Sequence, residues 1–141
     1  MYKLSVASTF YNSEDTIVDF IKSILITIKK LNILEYEIIL VNDGSKDRSI
    51  DKILENYKNE NIKIINLSKN FGHHQATMTA YNYCSGDFVF FIDSDLEVDP
   101  SVLEVLWNNL GDCDLIYGKT KKKYDGFIRK FQSNSFYKIL N

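Results

Sequence analysis

The sequence has one proline, two cysteines and six glycines in 141 residues, and each scarcity excludes something. A single proline in a chain that is 45% apolar argues against disorder and low complexity. Cys84 and Cys113 lie far apart with no C-x-x-C spacing. Neither a disulfide framework nor a zinc site is expected, and two ordinary thiols in a reducing compartment fit. The chain has no G-x-G-x-x-G, no G-x-x-x-x-G-K-[ST] and no G-x-S-x-G. A dinucleotide turn, a P-loop and a serine-hydrolase elbow are therefore disfavoured. No apolar run approaches the ~18–20 residues of a membrane span. No secretory leader is visible either.

What is present is one domain's worth of chain, long enough to bury a sizeable core. Formal net charge is −2, but it is unevenly placed. Residues 1–118 carry 10 basic and 18 acidic side chains, and residues 119–141 carry 7 and 1. An acidic body with a basic tail predicts a tail that meets an anionic surface or an anionic substrate.

Strand and helix patterns alternate along the chain. KLSVAS (3–8), EIILV (37–41), IKIINL (62–67), DFVFFI (87–92) and DLIYG (114–118) read as strands. Helical patterns run from about Glu14 to Lys30, Asp47 to Tyr57, His73 to Tyr83 and Asp99 to Leu110. Asp47 and Asp99 are the expected caps, the latter with Pro100 at the first helical position. Ile50, Ile53, Leu54 and Tyr57 are expected to share the buried face of their helix. The alternation predicts an α/β fold with a mostly parallel sheet and helices on both faces. In such sheets ligands bind beyond the carboxyl ends of the strands, where strand order reverses. The informative residues are then Thr9-Phe10-Tyr11-Asn12, Asp43-Gly44-Ser45, Ser68-Lys69-Asn70 and Asp93-Ser94-Asp95.

The stretch FFIDSDLEVDP (90–100) is the most specific of these. An uninterrupted apolar run reads as a strand buried on both faces, and it ends in carboxylates at every second position. Asp93 and Asp95, two apart, would face the same side of a strand and repel each other unless a cation sits between them. Mg²⁺ or Mn²⁺ suits that place, taking one or two carboxylates and completing its shell with phosphate and water. The competing reading is a solvated acidic turn leading into a helix. Asp43 could accept a nucleobase N–H, and Tyr11 could stack on a base. His73 and His74 are adjacent and point about 100° apart on a helix, so they are expected to be solvated helix-start side chains.

Together, VASTFYNSEDTI (6–17), ILVNDGSKDRS (39–49), LSKNFGHHQATMTAYNYCSGDFVFFIDSDLE (67–97) and IYGKTKKK (116–123) resemble a family 2 glycosyltransferase of the GT-A fold. The resemblance covers nearly the whole chain. It is strongest to the polyprenyl-phosphate sugar transferases related to dolichol-phosphate mannosyltransferase, which share the N-F-G run and a basic, aromatic segment like FIRKFQSNSFYKIL (127–140). It implies a Rossmann-like core over 1–118 that binds a nucleotide sugar. It also implies an acceptor-side segment over 119–141, with a possible amphipathic helix at a membrane surface.

The resemblance further implies that Thr9, Tyr11 and Asp43 hold the base and ribose of a UDP- or GDP-sugar, with Lys69 near its phosphates. Asp93 and Asp95 would bind the Mg²⁺ or Mn²⁺ on the diphosphate and act as the catalytic pair. Glu97 stands where relatives place a glutamine that also reaches the metal. Lys119, Lys121, Lys122 and Lys123 lie in the loop that contacts donor and acceptor phosphates in relatives. The expected activity is a hexosyl transfer with inversion, to polyprenyl phosphate at the cytoplasmic face of a membrane. Transfer to a saccharide hydroxyl in cell-surface polysaccharide synthesis is the alternative, as is a non-catalytic nucleotide-binding fragment. No nucleic-acid partner is implied.

Five positions depart from the family pattern. Thr9 replaces a proline, Asn42 an aspartate, His73-His74 a Lys-Glu pair, and Thr120 an arginine. Lysines surround Thr120, but a lysine supplies charge without a bidentate fork. Relatives continue further, with membrane helices in the lipid-phosphate subgroup, so the resemblance implies the N-terminal part of a longer protein. A phosphorelay receiver would share the sheet, but it wants an acidic pair after the first strand, where this chain has Thr9-Phe10-Tyr11-Asn12.

Overall fold

The computed structural model describes residues 2–58, 61–111 and 113–119. Eight elements follow one another in strict alternation: β1 (Leu4–Phe10), α1 (Ile17–Lys30), β2 (Tyr36–Asn42), α2 (Ser49–Asn56), β3 (Ile62–Asn66), α3 (His73–Tyr83), β4 (Phe88–Phe91) and α4 (Val102–Asn108). The four strands form one parallel sheet in the order β3-β2-β1-β4. This is the α/β architecture that the alternation predicts.

The helices cover both faces because the strands are apolar on both. On one face Leu4, Val6, Phe10, Ile38 and Leu40 pack against Ile17, Phe20, Ile21, Ile24 and Ile28 of α1, with Ile53 of α2 and Leu103 of α4. Ala7 and Val41 point the other way, against Ala76 and Ala80 of α3. The small residues let α3 approach the sheet closely. Burying apolar surface in this way is the main driving force for the fold, at about 25 cal/mol per Å².

The boundaries differ from the sequence expectation in instructive ways. β1 runs to Phe10, so Thr9 and Phe10 belong to the strand and do not follow it. As the central strand it is held on both sides, with its last pair being Phe10 and Asn42. α1 begins at Ile17, after a turn in which Thr16 and Ile17 both donate to the Ser13 carbonyl. In α2, Leu54 is exposed, while Ile53 is the buried anchor.

Two strand expectations are corrected. DLIYG (114–118) forms no strand; Leu115 and Tyr117 are 80% and 79% exposed. Consequently β4 pairs only with β1 among the described residues, and Val89 is exposed, so the run FVFFI does not mark a strand enclosed on both sides. A run of apolar residues records preference for the pleat but not the number of neighbours. All eight elements lie in the compact unit that ends at Gly111. Among the described residues no helix is long and apolar enough to cross a membrane.

Candidate functional site

Strand order reverses between β1 and β4: β1 is followed in the sheet by β2 on one side, while β4 returns to its other side. Parallel crossovers leaving in opposite directions open a crevice at that point. A cleft of about 500 Å³ occupies it, lined among others by Thr9, Tyr11, Asp43, His73, Asp93 and Asp95. Five of those six are candidates from the sequence.

Asp93 and Asp95 sit just past β4, in a turn and not in the strand itself. The turn is tied to the central strand by Ser94, which is buried and donates its hydroxyl to the Thr9 carbonyl at 2.8 Å. Both neighbouring carboxylates line the cleft, but from this turn and not by the strand alternation that their spacing suggested. Asp95 also accepts the Glu97 N–H at 2.9 Å. Between them Leu96 has φ 61°, an outlier for a bulky residue and the kind of local strain that collects at functional sites.

Asp43 is 4% exposed, and its carboxylate spans a neighbouring loop: Oδ1 accepts the Phe71 N–H at 2.7 Å and Oδ2 the Gly72 N–H at 3.0 Å. The adjoining Gly44 has φ +73°, and a Cβ there would lie 2.5 Å from the Lys69 carbonyl carbon. The β2–α2 turn and the 69–72 loop are therefore packed backbone to backbone, a contact only glycine allows. Asn42, the departure from the double-aspartate pattern, donates to Asn66 at 2.6 Å and accepts the Ser45 N–H at 2.9 Å. A second set of bonds joins the β1–α1 turn to the same region. Asn12 donates its N–H to Ser45 Oγ, while Lys46 donates to the Asn12 carboxamide.

Asp47 completes this frame, accepting N–H groups from Glu14 at 2.9 Å and Ser49 at 3.1 Å. Burial alone would raise its carboxyl, but the bonds from Ser49 and Glu14 outweigh that and hold it below its ordinary value. Asp99 accepts the Ser101 N–H at 2.8 Å, which lowers its carboxyl at the start of α4. Neither is the cap itself: α2 and α4 begin at Ser49 and Val102 with Arg48 and Ser101 as their N-caps, so Asp47 and Asp99 bond from just ahead of the helix and Pro100 precedes its first turn.

The remaining candidates are placed differently. Lys69 is exposed and lies outside the cleft lining, its ammonium 5.1 Å from the centre of the Phe71 ring. Glu97 is exposed and does not line the cleft. Lys119 is exposed in the segment beyond Gly111. Thr120, Lys121, Lys122, Lys123 and the 127–140 segment lie outside the described residues. His73 is exposed at the start of α3, as expected, and also lines the cleft, with Nδ1 3.4 Å from Thr9 Oγ1 and Nε2 3.9 Å from Asp93 Oδ1. No sequence periodicity could have revealed this, because it depends on how α3 meets the turn after β4.

Among the described residues no three His, Cys, Asp or Glu side chains converge tightly enough to hold a metal ion unaided. Two carboxylates open to one cleft still suit a hard cation that draws its other ligands from phosphate and water. The donor set fits an ion that arrives with a diphosphate, and does not fit a closed structural metal site.

Comparison with known proteins gives a consistent result. The family model described as "Glycosyl transferase family 2" matches residues 5–140. A glycosyltransferase of Mycobacterium tuberculosis (strain CDC 1551 / Oshkosh) is 34% identical over 96% of this chain and 40% of its own length. The undecaprenyl-phosphate 4-deoxy-4-formamido-L-arabinose transferase of Proteus mirabilis (strain HI4320) is 31% identical over 93% of this chain and 41% of its own. The chain thus spans about two fifths of the length of these relatives. Among solved structures, S. aureus TarS 1-349 in complex with UDP-GlcNAc aligns over 86% of this chain and 37% of its own, with TM-score 0.66 and 26% identity. The mannosyltransferase PcManGT of Pyrobaculum calidifontis, in complex with GDP-Man and Mn2+, shares the fold at TM-score 0.55 and 18% identity, over 67% of this chain and 28% of its own.

Proposed function

This chain belongs to glycosyl transferase family 2, and from that premise we propose that its cleft binds a nucleoside-diphosphate sugar whose sugar the protein transfers, with inversion, to a polyprenyl phosphate. The observation that carries the reading is the convergence of Asp93, Asp95, Thr9, Tyr11 and Asp43 on one crevice at the switch point of the sheet. The Proteus mirabilis relative, a transferase named for undecaprenyl phosphate, supports the choice of acceptor.

In this reading Thr9, Tyr11 and Asp43 take the base and ribose, and Asp93 and Asp95 present their carboxylates to a Mg²⁺ or Mn²⁺ ion on the diphosphate. A divalent ion held there supplies charge neutralisation on the departing diphosphate, the Lewis-acid role of a catalytic metal. The Ser94 bond to Thr9 fixes the backbone of the turn, which keeps the two carboxylates at the cleft before substrate arrives. A polyprenyl phosphate is already anionic and needs no strong general base, whereas a saccharide hydroxyl would need one. Residues 1–118 form the donor side. Residues 119–141, with Lys119, Lys121 and their neighbours, form the basic acceptor side that meets phosphates and an anionic membrane surface.

The test is thermal stability with UDP, GDP or CDP, with and without Mn²⁺, for the wild type and Asp93→Asn. A ligand at about 100 times its dissociation constant stabilises a fold by roughly 2.7 kcal/mol. The expected result is a metal-dependent shift with one nucleotide that Asp93→Asn removes. A shift that is independent of metal and unchanged in Asp93→Asn would remove the paired carboxylates from the site. Radiolabelled sugar appearing on added polyprenyl phosphate supports that acceptor, and label on a saccharide alone would replace it.

A further inference from the structure

We propose that His73 is a donor-binding residue, which gives its Nε2–H to the diphosphate, and that Thr9 orients it by donating a hydroxyl to Nδ1. This inference rests on the nucleotide-sugar reading of the cleft and adds a residue to which the resemblance assigned no role.

The imidazole is aimed by its surroundings. It opens α3 just after Gly72, whose φ of +92° turns the chain into the cleft. That Gly72 N–H is itself held by buried Asp43 at 3.0 Å, so the start of α3 is anchored to β2. On one side the ring meets Phe91 of β4 edge-on, with centroids 6.2 Å apart and planes at 69°. On the other, Nδ1 lies 3.4 Å from the Thr9 hydroxyl. A neutral imidazole has one donor and one acceptor nitrogen, and a hydroxyl can partner either. When the Thr9 hydroxyl donates to Nδ1, as proposed, the proton is on Nε2.

Nε2 points into the same space as Asp93, but at 3.9 Å from Oδ1 it is too far to be satisfied by that carboxylate. The N–H is left facing the cleft. Three carboxylates line this cleft, those of Asp43, Asp93 and Asp95, and His73 is the basic side chain among its described lining. A diphosphate brought against so acidic a wall needs donors as well as a cation, and Lys69 lies outside the lining. His73 is positioned to supply one, as the basic member of a lining that also holds the neutral side chains of Ser13 and Asn70.

The decisive experiment compares wild type, His73→Ala and His73→Gln by NMR titration with Mg²⁺ present. The ligands are the nucleoside diphosphate that shifts thermal stability and the corresponding nucleoside. Loss of a hydrogen bond to a charged group predicts that His73→Ala binds the diphosphate about tenfold or more weakly. Nucleoside affinity should stay within twofold, and His73→Gln, whose amide N–H can reach the place of Nε2–H, should recover most of the loss. Equal diphosphate affinity in His73→Ala would overturn the proposal, as would an equal loss for diphosphate and nucleoside, the mark of a merely structural role. Wild type that binds no nucleotide at all would overturn the donor-site reading and this inference together, whereas the first two outcomes leave the donor site standing.

Discussion

Asp43 shows how one side chain can serve structure and site at once. Its two oxygens satisfy the N–H groups of Phe71 and Gly72, which otherwise sit in a loop with no ladder partner. Each carboxylate oxygen has a second lone pair, so a ligand N–H can still be accepted. Replacing it removes two charge-assisted bonds and leaves the Phe71 N–H to find water, while the Gly72 N–H keeps Asn70 Oδ1 at 3.0 Å. Asp43→Ala is expected to lower unfolding free energy by about 2–3 kcal/mol in urea titration. An effect below about 0.5 kcal/mol would mean the loop is not held this way. The sequence reading left Asp43 free for a ligand by giving the helix start to Asp47, and its acceptance of the Phe71 and Gly72 N–H groups was invisible. That pairing spans 28 and 29 positions and depends on the close approach that Gly44 permits.

At the scale of elements, helix patterns were easier to read than strand surroundings. α1 carries apolar residues at 17, 20, 21, 24 and 28, a helical stripe that can only be buried on one side, and all five are buried. Ile24 is wholly enclosed between α1 and the sheet. Ile24→Ala should cost about 2–5 kcal/mol, seen as a lower Tm with an unchanged denaturant slope. A loss under about 1 kcal/mol would show that α1 does not pack as described. β4 illustrates the opposite case. FVFFI looked like an enclosed strand because its composition suits a pleated, apolar setting. Its having β1 as its one described neighbour is a matter of topology, which composition does not encode.

The unit ending at Gly111 is stapled at both ends of its sheet by carboxylates held below their ordinary values. At the end opposite the cleft, Glu37 of β2 accepts the hydroxyl of Ser5 of β1 at 2.7 Å and both the N–H and hydroxyl of Ser85 at 2.7 and 2.8 Å. Lys3 lies 3.7 Å away. Burial would raise this carboxyl, but the bonds from Ser5 and Ser85 and the charge of Lys3 together hold it below its ordinary 4.5. Because the folded value is depressed, the unfolded chain binds the proton first. Its stabilisation is complete above about pH 4.5 and is lost as pH falls through the folded value; Asp47 behaves alike from its ordinary 3.8. The urea midpoint should therefore hold from about pH 7 to 5 and fall below about pH 4. Glu37→Gln should flatten part of that fall; an unchanged profile would remove Glu37 from the account. The alternation of strands and helices, the apolar stripes and the carboxylates at 93 and 95 were determined by the sequence alone, because local period and strand-end position are properties of short stretches. The pairing of β4 with β1, the reach of Asp43 to the 71–72 backbone and the place of His73 in the cleft lining were decided only by the tertiary structure. Each joins residues far apart in sequence, and such contacts are set by which strand lies beside which and by how closely two backbones can approach.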